Sequence, residues 1–109
     1  MKLPHGDEAV VPLEKITEYL LSDSHPDGKI KAAFFKRFGF HRDEPQILEH
    51  ALLHLARTVE MTEVIFRYGR KYAGIGWLNC PDGRRVPVVT VWVLRDNQPP
   101  PFLVTAYPA

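Results

Sequence analysis

His25 lies in a His25-Pro26-Asp27-Gly28 turn, six residues before Lys31 on the helical stretch that follows. Histidine exchanges protons near neutral pH, and a lysine ammonium stabilises phosphate or a developing negative charge. Together they are sufficient equipment for metal-independent RNA cleavage, in which the ribose 2′-hydroxyl attacks the adjacent phosphate. One group takes the hydroxyl proton and another protonates the leaving oxygen. A second set of candidates lies near the C-terminus, where Thr90, Trp92, Thr105 and Tyr107 combine hydroxyls with aromatic surface. Such a patch suits a nucleotide base and phosphate. Arg84, after the Pro81-Asp82-Gly83 turn, offers a further phosphate contact. Each residue also has an ordinary structural reading: a turn histidine, a lysine that snorkels to the edge of a helix face, good strand formers, and a solubilising arginine.

Other residues point away from metal and cofactor chemistry. His50 and His54 are four apart on a helix but project away from its apolar stripe, with no obvious third ligand. Gly74 and Gly76 sit in a strand with no helix following, so a bulge or close backbone approach explains them better than a dinucleotide fingerprint. Cys80 has no activating partner in the sequence and reads as a spectator. No metal site and no cofactor are expected.

These residues must be positioned by helices in the first 60 positions and strands thereafter. Pro12 suits a first helical turn, and Leu13, Ile16 and Leu20 share one face of a helix over 13–22. Asp27 can cap a second helix that runs to about Phe38 and stops at Gly39. At about 100° per residue, Lys31 falls inside the apolar arc of Ile30, Phe34, Phe35 and Phe38. Asp43 and Gln46 have capping-box spacing ahead of a third helix, whose stripe is Ile47, Leu48, Ala51, Leu52, Leu55 and Val59. From Thr62 the period changes to two, giving strands over 62–68, 70–79, 84–95 and 102–107 with short links. Short links favour an antiparallel meander. The expected fold is α+β, a single domain over 3–108 with three N-terminal helices on one face of a four-stranded sheet. Val89, Val91 and Val93, with Phe102, Val104 and Ala106, are expected to face the helices. Val88, Thr90, Trp92, Leu103, Thr105 and Tyr107 then fall on the open face.

Composition limits the function classes. The 109 residues carry a net charge of +1, too little for a polycation that binds nucleic acid by charge alone. The charge is uneven: −2 over residues 1–60 (eight Lys/Arg, ten Asp/Glu) and +3 over 61–109 (six Lys/Arg, three Asp/Glu). No apolar run approaches the roughly 18 residues of a membrane span, the N-terminus lacks a signal-peptide pattern, and one cysteine excludes a disulfide framework. A cytoplasmic protein without membrane contact is expected.

Several segments together resemble a family of small uncharacterised bacterial domains found alone or at the C-terminal ends of polymorphic toxins. They include Leu3-Pro4, Tyr19-Leu20-Leu21, His25-Pro26-Asp27-Gly28, Lys31-Ala32, Phe34-Phe35 and Gly39-Phe40. The series continues with Tyr68-Gly69-Arg70-Lys71-Tyr72, Pro81-Asp82-Gly83-Arg84, Thr90-Val91-Trp92 and Leu103-Val104-Thr105-Ala106-Tyr107-Pro108. The layout is similar to the barnase, EndoU, colicin and RelE group of ribonuclease toxins. The resemblance implies His25, Lys31, Thr105 and Tyr107 as the first residues to test for catalysis, with Trp92, Thr90 and Arg84 toward substrate. The chain departs from the barnase pattern in lacking a histidine in its strand half and in offering Glu63 as its only strand acid.

Two functions follow as expectations. The first is a metal-independent ribonuclease-like toxin domain acting on RNA, with an immunity or antitoxin protein as partner. The second is a non-enzymatic module whose open sheet face binds a protein, either a toxin or antitoxin partner or its own copy. The first requires His25 or Lys31 near Thr105 or Tyr107 in a concave, partly exposed pocket. The sequence leaves the oligomeric state open.

Overall fold

The computed structural model describes residues 1–109. After a 3-10 turn at Gly6–Glu8, α1 (Leu13–Lys15) runs directly into a π-helical segment, Ile16–Leu20. Helices α2 (Lys29–Arg37) and α3 (Pro45–Thr58) follow, then strands β1 (Thr62–Phe66), β2 (Gly69–Asn79), β3 (Arg85–Arg95) and β4 (Phe102–Pro108). The strands form one antiparallel sheet in the order β1-β2-β3-β4. This is the α+β arrangement expected, with helices preceding a meander.

The first helix differs in kind from its expected form. The Leu21 N–H reaches the Ile16 carbonyl at 2.8 Å, a bond five residues long. At α-helical pitch Leu21 would lie about 140° from Ile16. The wider turn brings it back beneath Ile16, so Ile16, Leu20 and Leu21 are all buried while Leu13 is exposed. Arg42 clamps this segment from outside, donating to the Thr17 carbonyl and to Glu18 at 2.7 and 3.0 Å.

The expected helix caps do not form. Neither Asp27 nor Asp43 supplies a side-chain cap; Gly28 and Glu44 occupy the N-cap positions. Pro45 does stand at the start of α3. The end of α2 is closed by Gly39 N–H to Lys36 O and Phe40 N–H to Phe35 O, the paired bonds of a Schellman motif. On α2 the buried residues are Ala32 and Phe35, whereas Ile30 is 79% exposed. Lys31 therefore flanks the buried face instead of lying within it. Ile47 of α3 is also exposed, while Leu48, Leu52 and Leu55 are fully buried.

The sheet presents its other face to the helices than the one expected. Tyr72, Leu78, Val88, Thr90, Trp92 and Leu94 are buried. The register explains the choice: Gly74 pairs with Thr90, and Gly76 with Val88. A Cβ on Gly74 would meet the Glu60 carbonyl and Met61, and one on Gly76 would meet Val59 and Leu55. The end of α3 can approach only where β2 carries no side chain, and this turns Thr90 and Trp92 inward. The Trp92 indole N–H donates to Thr90 Oγ1 at 3.0 Å, so both polar groups are satisfied inside the core. On β4 the pairing skips Val104: Val91 faces Thr105 while Trp92 faces Leu103. This bulge lets both Leu103 and Ala106 be buried, correcting the expected alternation of Phe102, Val104 and Ala106.

Candidate functional site

The free edge of β4 is covered at its start by Val10, which bridges Phe102. Beyond that point the π segment and the start of α2 lie against the strand, and Tyr19 is the hub of their contact. Its phenol lies 3.0 Å from Thr105 Oγ1. The His25 ring meets the Tyr19 ring edge-on, with centroids 5.0 Å apart and planes at 72°. Lys31 Nζ and Lys15 Nζ sit 5.2 and 5.5 Å from the Tyr19 ring centroid. Lys31 also donates weakly to the Asp27 carbonyl at 3.4 Å.

Local structure holds this cluster together. Gly28 is buried against the Tyr19 carbonyl, where any Cβ would collide, so the histidine turn can press onto the π segment. The turn is closed by His25 itself: Asp27 N–H and Gly28 N–H donate to Nδ1 at 3.0 and 3.1 Å. With Nδ1 accepting twice, the neutral ring carries its proton on Nε2, and Nε2 is the nitrogen left for a ligand. His25, Tyr19, Lys15, Thr105 and Val104, together with Glu14 and Glu18, line one open cavity of about 790 Å³. Glu18 is held by Arg42.

The electrostatics favour negative charge at Tyr19. Burial pushes its phenol up, but the Thr105 hydroxyl, Lys31 and then Lys15 outweigh burial and bring it below the ordinary tyrosine value. The contrast is Tyr72, raised by burial and by Glu63.

The structure thus brings His25, Lys31 and Thr105 together. Tyr107 stands two residues further along β4, opposite Val89 and 39% exposed, with no hydrogen bond to the cluster. Thr90 and Trp92, buried beneath the helices, offer no surface to a ligand. Arg84 is engaged elsewhere: its guanidinium donates to Asp82 Oδ2 at 2.7 Å and to the Arg37 carbonyl at 2.9 Å, its backbone N–H donates to Asp82 Oδ1, and the guanidinium lies 4.3 Å from the Phe38 ring centroid. Arg37 and Phe38 close the C-terminal end of α2, the opposite end from His25 and Lys31. Cys80 is half-buried, and burial with the nearby Asp82 raises its thiol, so it holds its proton. Sequence reasoning missed Tyr19 and Lys15. The signal available for Tyr19 was a phenol on a helix that leads straight into the histidine turn.

The profile of the family described as Domain of unknown function (DUF6883) matches residues 2–109. The chain belongs to that family. No curated protein matches it. Among solved structures, it is similar to one chain of a contact-dependent growth inhibition toxin–immunity protein complex from Klebsiella pneumoniae 342, with a TM-score of 0.73. That match has 14% identity and covers 95% of this chain and 96% of the other. At that identity the likeness is one of fold. No helix of this DUF6883 chain is long and apolar enough to cross a membrane.

Proposed function

We propose that this chain is a metal-independent, ribonuclease-like toxin domain that acts on RNA in the cytoplasm. The observation that carries the reading is the convergence of His25, Lys31 and Thr105 on Tyr19, beside a concave, open cavity lined by His25, Tyr19 and Thr105. The fold shared with a chain of a toxin–immunity complex supports it, and an immunity protein is the partner it implies. In this reading Lys31 and Lys15 hold the scissile phosphate. Tyr19 acts as the phenolate, whose formation these lysines ease, and becomes a phenol on accepting the ribose 2′-hydroxyl proton. The 2′-oxygen attacks phosphorus, and the bond to the 5′-oxygen breaks. The imidazolium form of His25, with Nδ1 protonated and its two turn hydrogen bonds released, gives the Nε2 proton to that oxygen and becomes neutral, leaving a 2′,3′-cyclic phosphate. Thr105 orients the phenol, and Tyr107 contacts the nucleotide from the strand.

The test is cleavage of total bacterial RNA in EDTA by wild type, Lys31→Ala and His25→Ala. Cutting that survives EDTA and is lost in both folded variants supports the reading. A folded, monodisperse wild type that cuts nothing overturns it.

One observation favours the alternative, a protein-binding module. The sheet face away from the helices exposes Ile75 and Trp77, at 65% and 56%, together with Val64. An apolar face of this kind fits a protein partner. Light scattering on the inactive protein, alone and with candidate partners, checks that reading.

A further inference from the structure

We propose that a single-stranded polynucleotide crosses the free edge of the sheet in one continuous groove, from the Tyr19 site over the Val104 bulge to a flanking-nucleotide subsite at Tyr68 and Lys71. The proposal rests on the ribonuclease reading and deepens it by assigning the form of the substrate.

Three concave regions share walls. The cavity around Tyr19 shares Pro12, Lys15 and Val104 with a smaller one that also contains Val93 and Arg95. That one in turn shares Val93, Arg95 and Val104 with a cavity of about 440 Å³, which adds Phe66, Tyr68 and Lys71. Val104 belongs to all three, and it is the residue that strand pairing skips. A bulge at a strand edge breaks regular pairing and re-aims side chains, here between the two larger cavities.

The lining suits a chain of phosphates and bases. Lys15, Arg95 and Lys71 line the groove in that order, and none is within ion-pair distance of a carboxylate. The acids near the groove are Glu14, the Arg42-bound Glu18 and Asp96. At the far end Phe66 and Tyr68 lie edge-to-face, 6.2 Å apart, with Lys71 Nζ 4.9 Å from the Phe66 ring centroid. Tyr68 is 63% exposed, a surface on which a base can stack. A cationic track with aromatic platforms binds single strands largely independently of sequence. Strands about 4.8 Å apart place β1 about 14 Å from β4. That span accommodates a site of about four nucleotides.

The test uses fluorescein-labelled 2′-O-methyl oligoribonucleotides, which lack the attacking hydroxyl, in lengths from two to twelve nucleotides. Anisotropy is measured with wild type and with Tyr68→Ala/Lys71→Ala. Affinity is expected to rise with length up to about four nucleotides, and the double variant to lose about tenfold or more on the 12-mer. The length dependence should disappear with it. A folded double variant that binds the 12-mer as wild type does, or a wild type whose affinity ignores length, overturns the groove. Because these probes cannot be cleaved, the result separates from the RNA-cutting test. Length-dependent binding without cutting removes the nuclease and keeps the groove; cutting with no length dependence does the reverse. Lys71→Glu is the second variant, expected to weaken binding further and to reduce its salt dependence.

Discussion

The Tyr19 phenol and the Thr105 hydroxyl, 86 residues apart in the chain, lie 3.0 Å from each other across the free edge of the sheet. The bond joins a π-helical turn to the strand next to its bulge. Both are irregular elements, and each displaces its residue from the position that regular geometry would assign. The candidate site is built where two departures from ideal periodicity meet.

Tyr19 and Tyr72 should titrate in opposite directions from an ordinary phenol. Tyr19 should ionise below the ordinary phenol range and Tyr72 above it, as read from side-chain ring carbon shifts by NMR. Lys31→Met should move Tyr19 upward, because burial then opposes ionisation with less compensation. The sign for stability follows from the lowered folded-state value. Tyr19 ionisation favours the folded state on the alkaline side, above the unfolded phenol's range, and that contribution disappears as pH falls through the folded value. A Lys31→Met protein with an unchanged Tyr19 titration would contradict this account.

Thr90→Val should act on stability. The substitution keeps the volume but leaves the Trp92 indole N–H unpaired inside the core. A loss of about 1–3 kcal/mol in urea unfolding is expected. Oligonucleotide affinity, measured on the folded fraction, should not change.

Gly76→Ala should be costly for a small change. The added methyl points into Val59 and Leu55 beneath α3. About 1–3 kcal/mol of destabilisation is expected from overpacking, read from the urea midpoint. Gly83→Ala is a useful comparison, since its Cβ would meet nothing, although its positive φ of 88° adds backbone strain.

Arg84→Ala should loosen the hairpin turn rather than the cluster around Tyr19. The Arg84 hydrogen bonds hold the Asp82 carboxyl below its usual value. Stability from this pair is therefore present above the ordinary carboxylate range and lost as pH falls through the lowered value. Melting temperatures of wild type and Arg84→Ala should differ most near neutrality and converge in acid. A difference that stays constant with pH would remove the ion pair as its cause.

Local chemistry in the sequence determined the element types and their order. The switch from helical to alternating periodicity near Thr62, the Pro45 helix start and the Pro81-Asp82-Gly83 turn all depend on neighbours within a few residues. His25 and Lys31 were legible for the same reason, one in a turn and the other one helical turn and a half beyond it. Face and register were not legible. Val88-Val89-Thr90-Val91-Trp92-Val93 is apolar in both phases, so its pattern cannot choose an inner side. That choice came from β2, where two side-chain-free positions admit the end of α3 and draw Thr90 and Trp92 inward. Tyr19, Lys15 and the groove over Val104 were equally hidden, because a π turn and a bulge each shift the phase without changing the composition. Only packing across the sheet edge, where buried area and satisfied hydrogen bonds outweigh regular pitch, decided where those side chains point.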